Sequence, residues 1–246
     1  MLWRTSKLND FQIEATDGSI GTAHDLLIDD HDWVVRWLVV DAGSWLTSRK
    51  VLLPPSSLGK PDAETGRFPV ALTQQQVKDS PDVDVDQPVS RQMENQVYSH
   101  FGWEPYWIAP WPAVPIGPGG VAPPSAMPPD ADRPAGDPHL RSVRHISGYN
   151  LHATDDDIGH VEEFLIEDGS WAVRYMVVDT RNWLPGKKVL ISPRWISGVN
   201  WAERTVSVDV DRQTVKDSPE FDPEKELDRP YEESLHRHYQ RPHYWV

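Results

Sequence analysis

Residues 33–41 read Trp-Val-Val-Arg-Trp-Leu-Val-Val-Asp, and residues 171–179 read Trp-Ala-Val-Arg-Tyr-Met-Val-Val-Asp. The two stretches lie 171 − 33 = 138 residues apart, and the same shift, kept without a gap, aligns Phe11 with Tyr149 and everything between. Ala-Thr-Asp at 15–17 meets 153–155, Ile20-Gly21 meets Ile158-Gly159, and Lys50-Val51-Leu52 meets Lys188-Val189-Leu190. Val-Lys-Asp-Ser-Pro at 77–81 meets 215–219, and Tyr106-Trp107 meets Tyr244-Trp245. A gapless match of this length is a tandem repeat, which sets the layout before any single element is read.

Within a copy the pattern is that of short strands. Phe11–Ala15 alternates apolar and polar residues, and Asp17-Gly18 offers a tight turn. A second strand covers Gly21–Ile28, the strongest covers Trp33–Asp41, and others cover Lys50–Leu53 and Phe68–Leu72. Thr73 and Gln76 have capping-box spacing, which opens a short helix that must end before Pro81. A second helix is expected from about Arg91 to His100. The fold class read from this pattern is mainly β: two tandem small β-barrels, each followed by short helices. The segment 108–144 is rich in Pro and Gly and reads as a semi-rigid linker between repeats at 1–107 and 145–246.

On the strongest strand, one face carries Trp33, Val35, Trp37 and Val39, and the other Val34, Arg36, Leu38 and Val40. A small barrel wets one face of each strand, yet both faces here are mostly apolar. Either the two barrels pack on each other or on another chain through these strands, or each barrel's own helices cover them. Arg36 and Arg174 sit mid-strand and need carboxylates, since an unpaired buried charge is very costly. Asp25 or Asp29 suits the first, and Glu163 or Glu167 the second. Trp45 and Trp183 fall at hairpin-like connections, where packing is the reading. The structural or interface candidates are therefore Trp33, Arg36, Trp37, Asp41 and Trp45, with Trp171, Arg174, Tyr175, Asp179 and Trp183 in the second copy.

Composition narrows the function. The 246 residues carry 24 Lys plus Arg against 38 Asp plus Glu, a net charge of −14 that repels phosphate backbones, and no basic patch argues for nucleic acid. The absence of cysteine excludes thiolate metal sites, disulfides and cysteine nucleophiles. No run is long and apolar enough for a membrane helix and no export signal opens the chain, so a cytoplasmic location is expected.

Aspartates 155–157 and the alternating Asp82, Asp84 and Asp86 lack EF-hand spacing and read as solvated turns. His236, His238 and His243 have transition-metal ligand chemistry, but only His238 has a histidine counterpart, His100, so a packed tail is the reading and no metal is assigned. No nucleophile elbow, metalloprotease helix, phosphate loop or dinucleotide fingerprint occurs, so neither an enzyme nor a cofactor is expected.

The Asp-Gly…Ile-Gly turn at 17–21, the Trp-x-x-Arg strand ending in Asp41 and the Lys-Val-Leu-Leu-Pro strand at 50–54, with counterparts in the same order in the second copy (Ile158-Gly159, Trp171-x-x-Arg174 ending in Asp179, and Lys188-Val189-Leu190), resemble the PRC-barrel family. That family is named for the cytoplasmic domain of the photosynthetic reaction centre H subunit and is also found in a ribosome-maturation factor. The Val-Lys-Asp-Ser-Pro segment and terminal Tyr-Trp are similar to stand-alone bacterial members. The resemblance implies compact barrels acting as protein-interaction or assembly modules. The partner is an unknown protein, with intramolecular barrel packing or a homodimer. The alternatives are an acidic small-ligand or cation-binding protein with its site between the barrels, or, by analogy alone, a role in photosynthetic electron or proton transfer.

Overall fold

The computed structural model describes residues 1–9, 11–43, 49–81, 91–105, 140–180 and 187–245. The first repeat contributes β1 (Leu2–Arg4), α1 (Thr5–Leu8), β2 (Gln12–Ala15), β3 (Gly18–Asp29), β4 (Val35–Asp41), β5 (Lys50–Leu53), β6 (Arg67–Pro69), α2 (Gln74–Lys78) and α3 (Arg91–Phe101). The second contributes β7 (Leu140–Ser142), α4 (Val143–Ile146), β8 (Asn150–His152), β9 (Asp157–Glu167), β10 (Val173–Asp179), β11 (Lys188–Ile191), β12 (Ile196–Asn200), β13 (Thr205–Val208), α5 (Arg212–Asp217) and α6 (Arg229–His238). The molecule is mainly β. The sequence shift holds in the elements: β1 and β7, α1 and α4, β4 and β10, and β5 and β11 each coincide after adding 138.

Two sheets result, ordered β5-β4-β3-β2-β6 and β11-β10-β9-β8-β13-β12. Neither closes on itself among the described residues. In each sheet the long strand (β3 or β9) is lined on one side by β4 or β10. On its other side the local strand, β2 or β8, pairs with only the first part, which leaves the distal backbone edge open. The other repeat fills that edge. Strand β1 pairs antiparallel with β9, Leu2 opposite Glu167 and Arg4 opposite Leu165. Reciprocally, β7 pairs with β3, Leu140 opposite Asp29 and Ser142 opposite Leu27. Residues 140–144, at the end of the segment read as linker, are thus a strand of the first repeat's sheet (140–142) and the start of α4.

The strand-exchange hooks are held at equivalent points. Glu163 Oε2 accepts from the Ser6 hydroxyl at 2.5 Å and its backbone N–H at 3.3 Å, while Oε1 pairs with Arg4 Nη2 at 2.7 Å. Its counterpart Asp25 (25 + 138 = 163) accepts from the Ser142 hydroxyl and from the Arg144 N–H at 3.2 Å. The residues expected to serve Arg36 and Arg174 therefore divide: Asp25 and Glu163 hold the hooks, while Asp29 and Glu167 meet the arginines. Leu8 and Ile146, the last residues of α1 and α4, are buried in one core that spans both repeats. Each contributes about 1.5–3 kcal/mol on full burial.

The motif residues acquire physical reasons. Gly21 and Gly159 have φ of 139° and 127°, and a Cβ at either would strike the carbonyl oxygen of Asp41 or Asp179 on the neighbouring strand. In both Val-Lys-Asp-Ser-Pro segments the valine is fully buried and the serine nearly so. A cation from the preceding loop, Arg49 or Lys187, donates to the last carbonyls of α2 or α5 and to those of Ser80 or Ser218. A cation there complements the negative end of the helix dipole. The expected capping box of Thr73 and Gln76 opens α2.

Candidate functional site

The two repeats meet where the β3–β4 and β9–β10 hairpins turn. Trp33 and Trp171 sit in the left-handed region, φ 55° and 57°, and both are buried. That geometry lets each turn its carbonyl outward: Trp171 O accepts from Val35 N at 2.9 Å, and Trp33 O accepts from Val173 N at 2.8 Å. Val34 and Ala172 form an antiparallel bridge between the repeats. The indole rings cross over as well, Trp33 against Phe164 at 6.2 Å and Trp171 stacked on Phe68 at 5.8 Å.

A groove of about 590 Å³ runs along this seam, with a wall from each repeat. One wall is the turn Asp30–Val34, and the other comprises Ala172–Arg174 with residues 193–201. Trp201 is half-buried, and the Arg141 guanidinium lies 4.2 Å over its ring. Arg141 also pairs with Asp30 at 3.1 Å, so the second repeat's hook fastens the first repeat's turn beside the groove. Arg194 and Ser197 are exposed on the rim, with Ile196 and Val199 half-buried between them.

The two strand arginines flank this region. Arg36 lies 3.6 Å from Asp29 and 3.2 Å from Asp32. Arg174 pairs with Glu167 at 2.5 Å and lies 4.2 Å over the Tyr244 ring. Burial pushes the Glu167 carboxyl up, but the Ser170 hydroxyl and Arg174 outweigh it and hold the group below its ordinary value.

Trp37 and Tyr175 point the other way, beneath the helices. Trp37 Nε1 donates to Glu94 of α3 at 2.8 Å, and the Tyr175 hydroxyl donates to Glu232 of α6 at 3.1 Å. These are equivalent pairs, since 37 + 138 = 175 and 94 + 138 = 232. Leu27, Trp37, Val39 and Leu52 pack with Val97 and Tyr98 of α3 in a second small core. Each repeat's own helix thus covers the outer strand face. Contact between repeats runs through the hairpin tips and exchanged hooks.

Under α6 the polar layer grows. His236 Nε2 lies 2.9 Å from the Tyr175 hydroxyl, and the Tyr244 hydroxyl donates to Glu232 at 2.7 Å. Burial holds His236 below its ordinary 6.5 and pushes both tyrosines well above theirs. Of the three tail histidines, His236 and His243 lie together, their ring centroids 5.4 Å apart, and His243 also stacks on Trp245 at 4.5 Å, while His238 bonds Thr214 O at 2.7 Å instead. Asp155 and Asp156 bind the start of α5 through Arg212, and Asp157 pairs with His152. No group of three or more metal-ligating side chains occurs among the described residues.

Of the remaining candidates, Asp41 accepts from Gly43 N at 2.9 Å and Asp179 is buried at the end of β10. Trp45, Trp183, Asp82, Asp84 and Asp86 lie outside the described residues. Sequence reasoning missed Asp25 and Glu163 as hook acceptors and Arg141, Arg194 and Trp201 as groove residues. Extending the 138 shift upstream of Phe11 brings Leu2 onto Leu140 and Leu8 onto Ile146, two apolar matches that signal the hooks.

No family model matches the chain. A protein of Deinococcus radiodurans, described only as an uncharacterized protein, is 36% identical over 74 residues, 30% of this chain and 26% of that protein. The match thus spans about a quarter of that relative's length. Among the described residues, no helix is long and apolar enough to cross a membrane.

Proposed function

We propose that this chain is a non-enzymatic assembly module of the PRC-barrel type, its two small barrels joined as one body that binds a protein partner. The observation that supports this reading is the groove at the seam. Its walls come from both repeats, so it exists only while they are joined, and a partner seated there reads the assembled state. An aromatic platform with an arginine over it, flanked by half-buried aliphatics and an exposed arginine, has the composition of an interface core with a polar rim. A photo-crosslinking residue at Ser197 tests this in native lysate. A discrete adduct that Trp201→Ala abolishes supports the reading, and uniform labelling in both proteins refutes it.

A second reading, a small-ligand or cation site between the repeats, is favoured by the groove's volume of about 590 Å³, within the usual range of small-molecule sites. A thermal-shift screen across metals, quinones and sugars separates the two, because a ligand bound only by the native state raises the melting temperature. A quinone hit lost in Trp201→Ala would also revive the electron- or proton-transfer alternative.

A further inference from the structure

The seam is assembled twice from the same parts, and all of the parts described lie outside 106–139. Each hook supplies a three-residue strand to an open edge. Each carries a pair of donors to a carboxylate on the long strand, Ser6 to Glu163 and Ser142 with Arg144 to Asp25. Each reaches a second acid on the opposite hairpin turn, Trp3 to Asp168 at 3.5 Å and Arg141 to Asp30 at 3.1 Å. Between the hooks the two left-handed tryptophans exchange carbonyls and rings. This is the pattern of an isologous interface, in which one patch meets its own equivalent across a two-fold.

We propose that the seam is a self-sufficient exchange interface whose partner is a second copy of this chain's own repeat: it holds the halves together without the covalent connection, and two chains trade halves through it. An exposed strand edge is a template for another chain, and among the described residues the strand that covers the distal half of β3 or β9 comes from the opposite repeat. Removing one repeat would uncover that edge together with an indole and an apolar core residue, so a lone repeat lacks a finished surface. In a two-chain particle, the first repeat of each chain meets the second repeat of the other, and every contact is conserved. The tether raises the local concentration of the partner repeat to about millimolar, which keeps the exchange within one chain under dilute conditions. The same contacts join chains when they refold together at high concentration.

The test cuts the full chain. A protease site inserted within 118–125 is cleaved in the folded protein, or in urea followed by refolding if the folded chain resists. The product is examined by sedimentation and native mass spectrometry at micromolar concentration. One particle with the mass of the uncut chain is expected, 28.0 kDa plus the inserted site. Halves that separate, as folded monomers or as aggregate, overturn the proposal. Cut protein carrying ¹⁵N, unfolded and refolded with unlabelled cut protein, should then give particles of intermediate mass. Refolded particles that contain only fully labelled or fully unlabelled pairs overturn the claim that halves are traded. Uncut chains refolded at high concentration should add a species of doubled mass that, on dilution, persists longer than the refolding itself takes.

Discussion

Trp33 and Trp171 hold the same left-handed backbone position in their repeats, and each presents its carbonyl to the residue two beyond the other. A bulky side chain at positive φ is uncommon and strained. The strain persists because the rest of the seam fixes it: the ring fills a seat on the opposite repeat while the carbonyl completes a strand pair. Both links depend on the indole staying where the backbone puts it.

Trp171→Ala should therefore lose the Phe68 stack without relieving the positive φ. The expected loss is about 3–5 kcal/mol by chemical denaturation, as for other buried aromatics. Trp33→Ala should behave alike through Phe164. A loss below about 1 kcal/mol for both would mean that the tryptophans only decorate the seam.

Gly21→Ala and Gly159→Ala test the close strand approach. At each site the new methyl meets a backbone oxygen, which cannot swing aside as a flexible side chain would. With φ also positive, a loss of about 1–3 kcal/mol or more is expected for each. Gly43→Ala is the control, since its φ of 60° is positive but no atom lies near its Cβ position. It should cost less, and a control that costs as much would place the penalty in φ alone.

The repeat and the strand at 33–41 were legible because identity and alternation survive in both copies over many residues. The hooks were not. A strand of three residues has no period to detect, and Leu2 with Leu140 and Leu8 with Ile146 are isolated matches, so a proline-rich reading extends to 144. The sequence allows two covers for the outer strand face for a related reason. Glu94 and Glu232 look like solvent-facing residues of polar helices, yet they are buried and receive Trp37 and Tyr175. Only the spatial pairing of helix and strand turns those carboxylates inward.

Arg36→Met should be tolerated better than Arg36→Ala. The guanidinium faces Asp29 and Asp32 at the turn, so its loss is common to both variants. Methionine keeps most of the aliphatic stem that lies along the strand, which alanine discards. The difference expected is about 1–2 kcal/mol, from about 0.8 kcal/mol per buried methylene. Equal midpoints in urea for the two variants would show that the stem packs against nothing.

The last expectation concerns acid. His236 is buried beside the Tyr175 hydroxyl and Glu232, with the rings of Trp195 and Trp245 at 5.7 and 5.4 Å. Desolvation holds its pKa below 6.5, partly opposed by the backbone of Pro242 and Arg241, and His243 and Arg194 add to the lowering. A base whose folded pKa is depressed binds fewer protons in the native state than in the unfolded chain. Its neutral form is therefore matched to the fold above pH 6.5, and stability is lost as pH falls from there towards the folded value, by up to about 1.4 kcal/mol per unit. His24, also depressed by burial and by Arg144, titrates with the same sign and adds to the slope. Asp25 works in the opposite direction, because burial raises its carboxyl pKa above 3.8 and protonation there favours the folded state. Urea titrations between pH 7.5 and about 5 should thus show a falling midpoint, and His236→Gln should flatten that fall by removing one of the two groups. Trp195 and Trp245 report the same event locally, through fluorescence that changes with protonation of the adjacent imidazole. A variant whose stability follows the parent's slope unchanged would show that the imidazole is solvated in solution, and the packed layer under α6 would lose its histidine.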